Sequence, residues 1–300
     1  MAAGAGGGAN GGGAGAGGVA TVGGAGGGAR GGAGLGGAGD VGGSGGLNDP
    51  PFVTGDPLFD QQPNVGPHYG SVTLGNYPSG SSGLAYFGEQ APDATRSFRF
   101  MGSCLETIRR SSMSDPLVAA GTISVSSREG AKTLSKIQGT EIALLSGEST
   151  TFWQTGDTIT IDFSGGPVST YTTTVTMPEG LTATLPPSDV PIDRTRDLVV
   201  PFTSASASTD PVWLGVTELV DQGASGFQDI SVQCHSNPGQ SAISVPHQLL
   251  QNFIRQSDSL TPTSIRISVA RWKERVERVA GWDLLVEAGF STSAIYDIGP

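Results

Sequence analysis

The chain has 300 residues, with 16 Lys and Arg against 27 Asp and Glu, and a formal net charge of −11. A surface with that balance repels phosphate backbones, which argues against a nucleic-acid partner. No apolar run reaches the roughly 18 residues that a membrane-spanning helix needs, so no transmembrane segment is expected.

Residues 1–46 are a Gly/Ala tract, and 25 of the 48 glycines fall in the first 50 residues. So little apolar area cannot offset a backbone ordering cost of about 1–2 kcal/mol per residue. Collagen is excluded because the glycines do not recur at every third position and the first proline is Pro50. The tract reads as a disordered tether with a mean reach on the order of 35–40 Å. Two strings inside it mimic catalytic motifs: Gly42-Gly43-Ser44-Gly45-Gly46 and Gly6-Gly7-Gly8-Ala9-Asn10-Gly11. Both motifs require a strand before and a helix after, which a Gly/Ala tract cannot supply. Met1 is not followed by a basic start and an apolar core, so no signal peptide is visible. A tether with nothing before it is odd, and a signal or lipid anchor upstream of the given start is the expectation.

Residues 47–83 carry Pro50, Pro51, Pro57, Pro63, Pro67 and Pro78 in a Gly/Ser-rich path, and read as an irregular linker laid over a domain surface. From Leu84 the apolar residues recur with period two. Leu84–Phe87, Ser97–Met101, Gly121–Ser126, Glu141–Leu145, Thr158–Phe163 and Tyr171–Met177 are expected strands of a first β-sandwich over 84–187. After Pro186-Pro187 a second series follows: Asp197–Thr203, Val212–Leu219, Asp229–His235, Ser241–Val245, Ser264–Arg271, Trp282–Ala288 and Ala294–Ile298. Seven short strands with frequent turn signals suggest an immunoglobulin- or fibronectin-like sandwich over 188–300, although one larger sandwich stays open. Two segments differ. His247–Arg255 sets Leu249, Leu250, Phe253 and Ile254 at helical spacing behind Pro246. Arg271–Arg278 is dense in charge and reads as a solvated hairpin loop.

The chemistry-bearing residues are few. His68, His235 and His247 read as polar surface or strand-end histidines. A Ser-His-Asp triad would need one of them buried beside a carboxylate. Asp157 and Asp162 are the best paired carboxylates of the first half, but neither has the apolar setting that raises a carboxylate pKa. Asp-bearing loops leave a Ca2+ site open, although no D-x-D-x-D-G string is present. Trp213 and Trp282 read as core, while Trp153 and Trp272 are candidates for a binding surface. Cys104 and Cys234 would either bridge, closing a loop of about 130 residues, or remain separate buried thiols in different domains. No catalytic or metal-ligating set emerges.

Gly102-Ser103-Cys104, Ile192-Asp193-Arg194-Thr195-Arg196-Asp197-Leu198, Ile230-Ser231-Val232-Gln233-Cys234, Val245-Pro246 and Gly281-Trp282-Asp283 together resemble a family of uncharacterised myxobacterial secreted lipoproteins. The Ile-Asp-Arg-Thr-Arg-Asp string is the most distinctive of these. The resemblance implies a lipid-anchored, Gly-rich tether followed by β-rich domains outside the cytoplasm, and it implies no catalytic residues. The signal, the lipidated cysteine and the additional cysteines of such relatives are missing here.

The expected fold class is therefore all-β, with two sandwich domains behind a tether. The expected role is that of a non-enzymatic envelope or secreted protein, presenting a binding or adhesive surface to another protein or to extracellular polysaccharide. An extracellular hydrolase of polysaccharide or protein is the alternative. A cleft joining His235 or His247 to a carboxylate and a serine would favour it.

Overall fold

A computed structural model describes residues 56–60, 67–91, 94–111, 115–148, 151–168, 170–204, 210–221, 227–254 and 264–298. The expected tether over 1–46 lies outside them. The described residues are mostly β-strand. A long sheet contains β1 (His68–Tyr77), β2 (Gly80–Glu89), β3 (Thr95–Met101), β4 (Cys104–Ser111), β5 (Leu117–Val118), β6 (Thr122–Ser127), β7 (Gly130–Lys136), β8 (Ala143–Glu148), β9 (Thr158–Ser164) and β10 (Tyr171–Thr176). It also takes in β13 (Trp213–Asp221), β14 (Phe227–His235), β16 (Ser264–Val279) and β17 (Trp282–Asp297). A second, three-stranded sheet holds β11 (Leu181–Ala183), β12 (Leu198–Ser204) and β15 (Ala242–Val245).

Strands in the long sheet follow the order β10-β9-β6-β7-β8-β2-β1-β17-β16-β13-β14-β4-β3, and β5 pairs with β2 off this path. Most neighbours are antiparallel, but β1 runs parallel to β17. The alternation in β9 works as its sequence implies. Ile159, Ile161 and Phe163 are buried and alternate with the polar or exposed Thr158, Thr160 and Asp162.

Two hydrophobic cores form. The first gathers Val72, Leu74, Phe87, Ile123, Ile159, Trp153 and Val286 from β1, β2, β6, β9, β17 and the β8–β9 connection. The second gathers Val200, Leu214, Val232, Val245, Leu249 and Ile267 from β12, β13, β14, β15, β16 and the helical turn α2 (His247–Leu250). The hairpin of β16 and β17 serves both. Leu284, Val286 and Ala288 near its turn enter the first core, while Ile265, Ile267, Val269 and Tyr296 at its open end enter the second. Its turn, Ala280-Gly281, has positive φ at both residues (52° and 83°), which matches the right-handed twist of the flanking strands.

Arg271 lies on the same hairpin face, between the two cores. It stands opposite Phe290 and is 2% exposed. Its Nη1 donates to Ser204 Oγ at 2.9 Å, and among the described residues its Nε has no hydrogen-bond partner. On the opposite face, Trp272 lies over Gly289. A Cβ at Gly289 would collide with the Trp272 ring and the Arg271 carbonyl oxygen.

Several expectations change. His68–Gly83, read as linker, supplies β1 and the start of β2, and Val72 and Leu74 are fully buried. The many glycines and the flanking prolines of this stretch masked its alternation. Arg271–Arg278 is strand rather than loop: it is part of the sixteen-residue β16, and its charges pair as Lys273–Asp210, Arg275–Glu277 and Arg278–Asp283. Trp282–Ala288 and Ala294–Ile298 belong to a single strand apart from Ile298. The boundary near Pro186-Pro187 does not separate the hydrogen bonding, because β4 pairs with β14 and β1 with β17 across it. The helical segment behind Pro246 forms as α2 followed by a 3₁₀ turn, Gln251–Ile254. No helix among the described residues is long and apolar enough to cross a membrane.

Candidate functional site

The β3–β4 hairpin forms one end of the long sheet. Its two-residue turn, Gly102-Ser103, uses the positive φ of Gly102 (59°). Immediately after the turn, Cys104 stands opposite Cys234 of β14, and the two are joined as a disulfide. Of the two alternatives the bridge is the one that forms, because β4 leaves the first half of the chain to pair with β14 of the second.

Cys234 faces the second core, and its neighbour His235 faces the other side of the sheet. His235 is the last residue of β14, the strand-end position expected, and it is buried there at 4% exposure. Its Nε2 lies 2.7 Å from Asp56 Oδ2, and its Nδ1 lies 3.2 Å from the Ser236 carbonyl oxygen. Asp56 begins the short helical turn α1 (Pro57–Asp60), and its Oδ1 accepts from the Leu58 N–H. Phe59 of α1 packs edge-on against Phe100 and Trp213, with centroids 5.5 and 5.6 Å apart, and lies 5.3 Å from the His235 ring. Residues 56–60 are thus held against the sheet by the Asp56–His235 hydrogen bond and by the Phe59 ring.

A second cluster surrounds Asp115. Its Oδ1 accepts from Arg109 of β4 and from the Ala91 N–H, and its Oδ2 accepts from the Tyr69 hydroxyl at 2.8 Å. Burial, and then the Asp115 charge, raises the Tyr69 pKa far above the ordinary phenol range, so this tyrosine stays a donor. Arg96 of β3 stands directly opposite Arg109. Burial, and then repulsion from Arg109, lowers its pKa.

His247 opens α2, and its Nδ1 lies 3.0 Å from Asp197 Oδ1. The same oxygen accepts the His247 N–H at 2.9 Å. These two bonds, the backbone one first, hold the Asp197 carboxyl below the ordinary range. The Ile-Asp-Arg-Thr-Arg-Asp string therefore ends in a cap on α2, and Asp193 likewise accepts from Thr195. Both histidines meet carboxylates, but Ser236 meets His235 through its carbonyl, and its Oγ accepts from the Val212 N–H instead.

The other sequence candidates are dispersed. Trp153 is fully buried in the first core and offers no binding surface. Trp272 is half-buried over Gly289. Trp213 is half-buried beneath Phe59, and Trp282 packs against Phe87 and His68. Asp157 is buried, accepts from the Gln154 N–H and pairs with Arg128, whereas Asp162 is exposed and accepts from Thr172. Among the described residues no three His, Cys, Asp or Glu side chains converge as a metal site. Sequence reasoning missed Asp56, Phe59, Tyr69, Arg96, Arg109 and Asp115. The one available signal was the four arginines of β3 and β4, set in an otherwise acidic chain.

The fold and this face define a disulfide-stapled, mostly β protein with a pinned N-terminal segment. No protein-family model matches the chain, and no curated protein matches it.

Proposed function

We propose that the chain is a non-enzymatic binding protein of the cell envelope or the extracellular space, presenting the β3–β4 end of its long sheet to a protein or polysaccharide. The observation that carries this reading is the Cys104–Cys234 disulfide, which fixes an arginine- and aromatic-bearing hairpin to β14. Disulfides persist in oxidising compartments and are rare in reducing cytoplasm. The composition of residues 1–46 suits a spacer behind an anchor. The resemblance to myxobacterial secreted lipoproteins points to the same compartment. In this reading each core corresponds to one immunoglobulin- or fibronectin-like half, with the β16–β17 hairpin common to both.

Two measurements test it. In cells, Cys104 and Cys234 should resist alkylation until a reductant is added, and free thiols in the native host would overturn the compartment. The full oxidised chain should show saturable binding on an array of extracellular polysaccharides and envelope proteins, and a blank array would overturn the binding role.

A second reading, an extracellular hydrolase, draws on the His247–Asp197 pair, because a carboxylate on Nδ1 is the orientation of a general base. Turnover of chromogenic ester, glycoside or peptide substrates that is abolished by His247→Ala would establish it over the first.

A further inference from the structure

Val72 and Leu74 of β1 and Leu284, Val286 and Ala288 of β17 face the first core, so the residues between them turn to the opposite face of the long sheet. On that face Gly75 and Gly289 are register partners on adjacent strands. Each lies under an aromatic ring. A Cβ at Gly75 would collide with the Tyr77 ring, and one at Gly289 would collide with the Trp272 ring. Tyr77 reaches back across Gly75, and its hydroxyl is hydrogen-bonded with Ser82 of β2. Glycine inside a strand often marks a close approach, and here it lets two rings lie low on neighbouring strands. Both rings are half-buried and keep part of their surface in solvent.

The adjoining rung is polar. Glu287 of β17 stands between Thr73 of β1 and Glu274 of β16. Thr73 Oγ1 donates to Glu287 Oε2 at 2.9 Å, and Glu274 is exposed. The face is also concave. In a flat sheet of this order β1 and β4 would lie about 24 Å apart. Asp115 nevertheless accepts from both Tyr69 of β1 and Arg109 of β4. The sheet therefore curls around this face, and the rings and carboxylates line a trough. Towards β3 it ends where Phe59 covers Trp213, whose register partner Ala270 lies just before Trp272 on this face.

Charge and shape select the occupant. Two carboxylates facing each other on one rung repel an anionic polymer, and they repel a second copy of the same face. Flat rings offer their faces to C–H groups, and carboxylates accept from hydroxyls. A neutral chain of β-linked hexoses presents both, with C–H groups on its ring faces and hydroxyls along its edges. Its extended repeat is close to the roughly 5 Å spacing of the strands.

We propose that this trough binds a neutral, extended polysaccharide of β-linked hexoses, stacked on Tyr77 and Trp272 and hydrogen-bonded through its hydroxyls to Glu274 and Glu287. The inference rests on the binding-protein reading, and adds to it a ligand class and a face beside the β3–β4 end.

The test is isothermal titration of the full oxidised chain with cellohexaose. Saturable binding is expected. Maltohexaose, whose α-links coil the chain, should not bind, and neither should the anionic hexagalacturonate. Trp272→Ala should weaken cellohexaose binding about tenfold or more. If that variant does not fold, Trp272→Met, which covers Gly289 without a flat ring, carries the same expectation. Glu274→Gln should weaken binding about threefold to tenfold by removing a charge-assisted bond, and should keep its thermal midpoint because the side chain is exposed. Absence of cellohexaose binding overturns the proposal, as does equal binding of maltohexaose or binding indifferent to the Trp272 change. Binding of hexalysine that depends on Glu274, without cellohexaose binding, overturns it in favour of a basic peptide. Failure with cellohexaose beside a positive ligand array removes only this trough, whereas a blank array removes the binding role itself.

Discussion

Cys104 and Cys234 are directly opposed on neighbouring strands although 130 residues separate them along the chain. Their bond ties the β3–β4 hairpin to the strands that build the second core. Cross-linking so long a loop constrains the unfolded chain far more than the folded one, and removing such a bond costs about 2–5 kcal/mol. The double variant Cys104→Ala/Cys234→Ala should therefore lose stability of that order in guanidinium titrations. Reductant should lower the midpoint of the native chain and leave that of the variant unchanged.

The contact of Asp56 with His235 predicts a local effect. Removing one partner of a buried hydrogen bond leaves the other less satisfied, at about 1–3 kcal/mol. In His235→Ala the Leu58 and Phe59 amides, ordered by Asp56, should lose hydrogen-exchange protection while the second core retains its own. Asp56→Ala should do the same, and the two changes combined should be less than additive. Full additivity would show that the pair does not act as a unit.

Tyr69 should make stability fall in alkali. Its folded pKa is raised by burial and by Asp115, so its contribution is complete below the unfolded phenol value of about 10. Above that pH the unfolded chain ionises first, and stability is lost as pH climbs towards the folded value. Tyr77 and Tyr296 are shifted the same way by burial. Tyr69→Phe should therefore flatten part of the alkaline limb rather than abolish it. At neutral pH it should cost about 1.5–3 kcal/mol through the lost bond to a carboxylate. Urea titrations between pH 7 and 11 would show both effects.

Among the described residues, Arg271 is a buried cation held by one hydroxyl. Its desolvation is poorly compensated, and an apolar side chain of similar length should fill the same space. Arg271→Met should leave stability unchanged or raise it by about 1–4 kcal/mol in thermal unfolding. A marked loss would show that the guanidinium holds the two cores together.

Local periodicity was legible wherever a strand had one wet face and one dry face. β9, β12 and β15 are examples, and so is the helical turn behind Pro246. It failed where glycine replaced the apolar residues, as in β1, and where charges lay on a strand, as in β16. The candidate site was less legible still. Arg96 and Arg109 are separated by a hairpin turn and are visible as a local cluster. Asp56 meets His235 across 179 residues, and Asp115 gathers Tyr69 and Arg109 from different strands.

The amino-acid order by itself determined an acidic, strand-forming chain, a Gly/Ala tract of tether composition, and which side of most strands turns inward. Those properties depend on composition and on residues two to four positions apart. Only the tertiary structure decided that the halves before and after Pro186-Pro187 share one sheet and one long hairpin. It also decided that the two cysteines meet. These outcomes depend on which strands pair, and strand pairing is set by the competition of distant segments for the same edge. No local pattern records that competition.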